Sequence, residues 1–130
     1  MRASLPRTVA VAVDPFAEHL ARVRQRFVAA LESKIEDTYS AIPDLSGDTP
    51  ASVEAVEETY RRMHNIVGIC PTVGFVGTGR AARSIENLLM VPQEAERGLT
   101  VEEIDSFKKA LHALRETATR ELQSFYSGWR

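Results

Sequence analysis

The sequence predicts an all-α protein that folds as an antiparallel four-helix bundle, and three observations lead to that prediction. Four segments carry apolar residues every three or four positions, which is the spacing of one helix face. Short stretches rich in proline, glycine and capping residues separate these segments. No segment shows the alternation typical of a strand. Four such helices are buried most simply against one another in a bundle.

Length and composition fit one globular domain. The chain has 130 residues, of which 44% are hydrophobic and 26% charged, and its formal net charge is -2. This balance argues against a broad basic surface, so no nucleic-acid partner is expected. Cys70 is the only cysteine, which excludes an internal disulfide, argues against a zinc site and favours a reducing compartment.

The chain divides into a short N-terminal tail or extension over residues 1–13 and a bundle over residues 14–130. The run from Thr8 to Val13 is apolar, but it is too short for a signal-peptide core or a membrane span. We therefore expect a cytoplasmic protein that does not associate with a membrane. Nothing in the sequence requires a dimer, and a monomer is expected.

The first helix is predicted to begin at Asp14 and Pro15 and to run to Ile42, just before Pro43. Asp14 can cap the exposed amides, and proline is tolerated in the first turn because its missing N–H is not needed there. The predicted core face follows the helical spacing: Phe16, Leu20, Val23, Phe27, Leu31, Ile35 and Tyr39.

The second helix is predicted to begin at Thr49 and Pro50, after a loop over residues 43–49. Pro71 removes a backbone donor and should bend the helix just beyond Gly68. Gly74, Gly77 and Gly79 favour a kink or an end soon after, and the far boundary stays open. The predicted core face again follows the helical spacing: Val53, Val56, Tyr60, Met63, Val67 and Cys70.

The third helix is predicted over residues 79–91. Thr78 is the expected N-cap, and Pro92 is the expected stop. Its inward face is formed by four apolar residues: Ala82, Ile85, Leu88 and Leu89.

The fourth helix is predicted to start with a capping box between Thr100 and Glu103 and to end near Gly128. Its apolar residues follow a near-heptad order. They are Ile104, Phe107, Leu111, Leu114, Ala118, Leu122 and Phe125.

His64 is the side chain that points most clearly to a function. On a helical wheel it lies about 80° from the middle of the apolar face, so it should reach solvent. Gly68 lies one turn further along the same face, and Arg61 lies one turn back. Glycine inside a helix costs about 1 kcal/mol relative to alanine, so it needs a reason. A bare patch that lets a partner approach the imidazole supplies one.

The motif that contains His64 resembles that of the histidine-containing phosphotransfer (HPt) domain family. The family pattern is H-x-x-[K/R]-G-x-x-x-x-x-G, with a later apolar–acidic or apolar–Gln pair. His64, Gly68, Gly74 and Glu86 match that pattern residue by residue. The order of the helices is also similar, so the resemblance covers residues 14–127.

This resemblance implies a phosphorelay function. His64 would carry a phosphoryl group between the receiver domains of response regulators, and a hybrid histidine kinase is a further expected partner. A neutral imidazole suits this role because it offers a nitrogen nucleophile near pH 7. The partner would supply Mg²⁺ and the acidic pocket, so no cofactor or metal of the chain's own is expected. The protein would be a phosphocarrier and not an enzyme.

One position departs from the family pattern. Val67 stands where the family usually has Lys or Arg, and we expect it to continue the core face. The positive charge beside a phosphoryl group would then come from Arg61, or from Arg80 and Arg83 at the start of the third helix. Docking is expected to use exposed positions near His64: Gly68, Glu57, Asn65 and the region of Gly74.

Two other classes of function remain open at this stage. The first is a helical docking module that regulates a kinase or a receiver without accepting phosphate, which the departure at Val67 favours. The second is a small helical enzyme or metal carrier, but the sequence lacks the clustered carboxylates and histidines that it needs. His19 and His112 have no glycine partner, and Cys70 is expected to be buried and inert. Exposure of His64 near arginines would favour the phosphocarrier.

Overall fold

The computed structural model describes residues 14–127, which form four helices. They are α1 (Pro15–Leu45), α2 (Pro50–Val73), α3 (Val76–Glu94) and α4 (Val101–Ser127), and the described residues contain no strand. The predicted all-α fold is therefore confirmed. The predicted N-terminal tail over residues 1–13 and the predicted helix end at Gly128 lie outside the described residues.

The helices form a closed antiparallel ring. Each helix packs on the next one along the chain, and α4 also packs on α1. As a result α2 and α4 lie diagonally across the bundle from each other. Within residues 14–127, no helix is long and apolar enough to cross a membrane.

Three of the predicted helix starts are confirmed by their caps. The Asp14 carboxylate accepts a hydrogen bond from the Phe16 amide at 3.0 Å. The Thr49 hydroxyl accepts one from the Ser52 amide at 3.1 Å. In the capping box of α4, the Thr100 amide donates to the Glu103 carboxylate at 2.8 Å and the Glu103 amide donates to the Thr100 hydroxyl at 3.1 Å.

The predicted ends at Pro43 and Pro92 are wrong, because both prolines lie inside the last turns of their helices. Helix α1 continues to Leu45, which is fully buried and whose carbonyl accepts a hydrogen bond from the Leu99 amide at 2.8 Å. Pro92 is itself buried, and α3 continues past it to Glu94. Tertiary packing thus stabilises a final turn that the proline weakens.

The predicted start of α3 is also wrong, because the helix begins at Val76 and Thr78 is not its cap. Glu121 of α4 supplies the cap. Its carboxylate accepts from the amides of Gly77 at 2.8 Å and Thr78 at 2.7 Å, and from the Thr78 hydroxyl at 2.6 Å. A carboxylate at this position also complements the positive end of the helix dipole.

Helix α2 ends at Gly74, the first of the three glycines expected to favour its end, and Pro71 lies inside the helix. Gly74 has a φ of 84°, a left-handed conformation that favours glycine at the position after a helix. The Phe75 amide then donates to the Cys70 carbonyl at 3.0 Å. Arg24 of α1 donates from Nε to the Val73 carbonyl at 3.0 Å, which satisfies one of the carbonyls at the end of α2.

The core face of α1 is shorter than the sequence predicts. Phe27 and the apolar residues one and two turns after it are buried, whereas the side chain of Phe16 is 70% exposed. The contact between Arg24 and Val73 explains the difference, because it places the last residue of α2 level with Arg24. The first two turns of α1 therefore extend past the end of α2.

The core also contains a residue that helical periodicity does not predict. Phe75, between α2 and α3, is fully buried. Its ring centroid lies 5.2 Å from that of Phe27 and 5.0 Å from that of Phe125. On α2 the buried face is centred on Met63 and Ile66, so that Val67 lies at its edge.

Candidate functional site

His64 lies on the outer side of α2 and is accessible to solvent, as the sequence predicts. It points toward α3. Its side chain is 68% exposed. The nitrogen Nδ1 lies 2.6 Å from the carboxylate oxygen Oε2 of Glu86, whose side chain is only 6% exposed. An exposed imidazole is thus joined to a buried carboxylate of the neighbouring helix.

The contact with Glu86 decides which ring nitrogen of His64 is available as a nucleophile. When Nδ1 carries a proton and donates it to a carboxylate, the neutral ring keeps its lone pair on Nε2. Nε2 is then the nucleophilic atom. Glu86 needs this partner in turn, because a buried carboxylate without a hydrogen-bond donor is costly.

Tyr60 provides a second contact to the imidazole, and sequence reasoning assigned it to the core alone. It lies one turn before His64 on α2, and the two ring centroids are 6.3 Å apart with an interplanar angle of 12°. The rings are therefore stacked. Spacing of four residues on one helix could have indicated this pair.

Gly68 leaves open space beside His64. A Cβ atom added at this position would meet no atom of residues 14–127 within 4 Å. Packing within that range therefore gives no reason for a glycine here. Gly74 differs, because its positive φ and a Cβ contact of 3.0 Å to the Phe125 ring explain it by the fold.

Arg80 and Arg83 lie beside Val67, the position at which the family pattern has a Lys or Arg that this chain lacks. Together with Val67 they line a groove of about 390 Å³ between α2 and α3. We call it the α2–α3 groove; its lining residues are Val67, Cys70, Pro71, Val76, Gly79, Arg80 and Arg83. Among the described residues, neither arginine makes an ion pair. The structure thus brings Val67 together with two exposed guanidinium groups.

Arg61 has a different environment from the other two arginines. Its guanidinium lies 3.4 Å from the carboxylate of Glu57 one turn earlier, and both side chains are exposed. Such an exposed pair is weak, so Arg61 can exchange this partner at little cost. Asn65 is also exposed, next to His64 in the chain.

Cys70 lines the α2–α3 groove, but its side chain is buried. It is fully buried, and burial, followed by the nearby charge of Glu121, raises the pKa of its thiol to about 11. The thiolate is therefore a minor species at neutral pH. This agrees with the expectation that Cys70 is inert.

Within residues 14–127, no three His, Cys, Asp or Glu side chains lie close enough together to hold a metal ion. His19, an exposed residue near the start of α1, makes no side-chain hydrogen bond in that range. His112 lies 3.5 Å from Glu116 on the exposed side of α4. The described part of the chain therefore offers one histidine with an organised environment, His64.

Comparison with known proteins agrees with the all-α fold. Residues 18–117 match the family model described as Hpt domain, so the chain belongs to the Hpt domain family. Membership means a phosphotransfer-type role in two-component signalling, and members of this family are phosphocarriers that interact with receiver domains or kinases. A search of curated proteins and a search of solved structures gave no match.

Proposed function

We propose that this protein relays a phosphoryl group between receiver domains and that His64 is the phosphoacceptor. The hydrogen bond between His64 Nδ1 and the buried carboxylate of Glu86, at 2.6 Å, is the observation that carries the proposal. Because Nδ1 is engaged by Glu86 and the side chain is 68% exposed, Nε2 is proposed as the atom that attacks an aspartyl phosphate of a partner. The cytoplasm is the proposed compartment.

The transfer step can be written with its atoms balanced. The lone pair of His64 Nε2 attacks phosphorus, a P–N bond forms, and the P–O bond to the partner's aspartate breaks, which returns a carboxylate. The proton on Nδ1 stays in place, so the ring becomes a phosphoimidazolium cation. The negative charge of Glu86 stabilises that cation, because a charge-assisted hydrogen bond in a partly buried site is strong.

Three arginines are proposed to moderate the charge of the phosphoryl group. Arg80 and Arg83 line the same groove as Val67, the position at which the family pattern has a cation. Arg61 lies one turn before His64 on α2. Mg²⁺ is proposed to come with the receiver, and the chain itself is proposed to act without a cofactor.

Gly68 is proposed to keep the approach to His64 open, since a Cβ at this position would meet no neighbour in the described part of the chain. Glu57 and Asn65 are exposed on either side of His64 in the sequence and are proposed to contact the partner. The region of Gly74 lies at the far end of the same helix and is proposed as the outer limit of the docking surface.

A docking module without phosphoryl chemistry is the second candidate function. Val67 favours it, since the cation of the family pattern is missing at that position. The two candidates make opposite predictions for His64. Both require binding to a receiver or a kinase, but only the first requires a labelled histidine.

The test is phosphoryl transfer from a panel of phosphorylated receiver domains of the source organism to the full chain. We expect an acid-labile, alkali-stable label on the wild type, no label on His64→Gln, and full label on the matched control His112→Gln. His112 is a suitable control because it is exposed and lies on α4. Binding without any label would instead support the docking module.

A further inference from the structure

Charged side chains are unevenly distributed along the bundle axis. One half, where α1 and α3 begin, comprises residues 14–31, 64–85 and 114–127 and holds seven Lys or Arg against four Asp or Glu. The other half, residues 32–63 and 86–113, holds six Lys or Arg against 14 Asp or Glu. The described bundle is thus an electric dipole, with its positive half at the start of α3.

The separation is sharpest on the face that carries His64. Between residues 64 and 85 the only charged side chains are Arg80 and Arg83. On the other side of His64, α2 carries three glutamates and two arginines, and the arginines are engaged by two of these glutamates: Glu54, Glu57, Glu58, Arg61 and Arg62. His64 lies at the border between a positive region and an acidic one.

The positive region is also the apolar part of this face. Val67, Pro71 and Val76 line the α2–α3 groove, and the side chain of Val76 is 53% exposed. Arg80 and Arg83 stand on the same groove and make no ion pair among the described residues. Apolar surface next to uncompensated guanidinium groups fits a partner surface that is apolar and acidic.

We infer that the receiver domain docks in one fixed orientation, which we call the docking polarity. In this orientation an apolar and acidic edge of the receiver covers the α2–α3 groove. This inference rests on the proposed function and deepens it. The opposite orientation would place the acidic edge over Glu54, Glu57 and Glu58, where like charges repel. Docking polarity is thus set by Arg80 and Arg83 on one side of His64 and by three glutamates on the other.

The test measures binding separately from phosphoryl transfer. The probes are the receiver domains of the source organism, each held by beryllofluoride and Mg²⁺ in a state that mimics the phosphorylated form, and titrated calorimetrically against the full chain. Arg80→Glu is compared with Arg120→Glu, which makes the same charge change in the same half of the bundle but on α4. Both side chains are exposed, and α4 does not contact α2.

We expect Arg80→Glu to raise the dissociation constant of the best-binding receiver about tenfold at low salt, and Arg120→Glu to change it less than twofold. The difference should shrink as added salt screens the charges. Equal effects of the two variants, or no binding by any receiver, would overturn the inferred polarity. Charge-dependent binding without a label on His64 would support the inferred polarity and refute phosphoryl transfer. Labelling of both variants at the same rate would support phosphoryl transfer and refute the inferred polarity.

Discussion

At the scale of single residues, the site depends on a contrast in burial between two side chains. Glu86 is buried, whereas His64 is mostly exposed, and one hydrogen bond of 2.6 Å joins them. The buried group fixes the orientation of the exposed one. An accessible nitrogen can thus be presented to a partner without loss of orientation.

Glu86→Gln is expected to slow the labelling of His64 by roughly 5- to 30-fold, because an uncharged amide stabilises the phosphoimidazolium less by about 1–2 kcal/mol. Glu86→Ala should slow it further. The measurement is the initial rate of label transfer, with circular dichroism to verify that helix content is unchanged. Unaltered labelling of Glu86→Ala would show that this carboxylate does not assist the ring.

Replacement of Gly68 should separate stability from transfer. Gly68→Ala is expected to raise the free energy of unfolding by about 0.5–1 kcal/mol, since alanine favours helix and the new Cβ meets no neighbour. Gly68→Gln should nevertheless slow transfer from a receiver about tenfold by obstructing its approach. Labelling by phosphoramidate, a small donor, should be unaffected.

Gly79 provides the matched control for Gly68. A Cβ at Gly79 would lie 2.9 Å from the Cβ of Cys70, so Gly79→Ala should destabilise the fold. Thermal denaturation of the two alanine variants tests this contrast. A loss of stability in Gly68→Ala would contradict the interpretation of its surroundings as open.

At the scale of helices, the starts were more predictable from the sequence than the ends. Asp14, Thr49 and the pair of Thr100 and Glu103 are local caps, and local patterns predict them. The start of α3 was not predictable, because its cap is Glu121, which lies more than 40 residues away in the chain. The helix ends predicted at Pro43 and Pro92 were wrong for the same reason, because packing against distant parts of the chain stabilises the turns that contain these prolines.

Glu121→Ala is expected to lower the free energy of unfolding by about 2 kcal/mol, because two amides and one hydroxyl at the start of α3 lose a charged acceptor. Chemical denaturation measures the loss. Glu116→Ala, on an exposed part of the same helix, is the control and should change stability by less than about 0.5 kcal/mol. Equal effects of the two substitutions would refute the capping role.

The start of α4 gives a prediction for pH dependence. The hydrogen bond from Arg97, supported by Thr100, lowers the pKa of the Glu103 carboxyl to about 2 from an ordinary value of 4.5. Because the folded-state pKa is lowered, the stabilisation is complete above about pH 4.5 and is lost as the pH falls toward 2.

Glu103→Gln should therefore be less stable than the wild type by about 1–2 kcal/mol at pH 6, and the two should converge near pH 2. Urea denaturation across this pH range measures the difference. Glu102→Gln, an exposed neighbour, should follow the wild type at every pH. A difference between Glu103→Gln and the wild type that persists at pH 2 would contradict the assignment.

At the scale of the whole molecule, the fold class and the exposed position of His64 followed from periodicity alone. The hydrogen-bond partner of His64 was harder to predict, because Glu86 belongs to another helix and its position depends on the packing of α3 against α2. Sequence similarity to the family marked Glu86 without assigning it a role. Tyr60 and the grouping of Val67 with Arg83 required the assembled bundle.

The central claim is that Glu86 holds His64 so that Nε2 accepts the phosphoryl group. The most direct measurement is ³¹P and ¹⁵N NMR of the full chain with ¹⁵N-labelled histidine, after reaction with phosphoramidate. The account predicts that His64 is labelled fastest of the histidines, and that the phosphorus is bonded to its Nε2 with the proton retained on Nδ1. Phosphorylation of His64 at Nδ1, or labelling of His112 at the same rate, would contradict it.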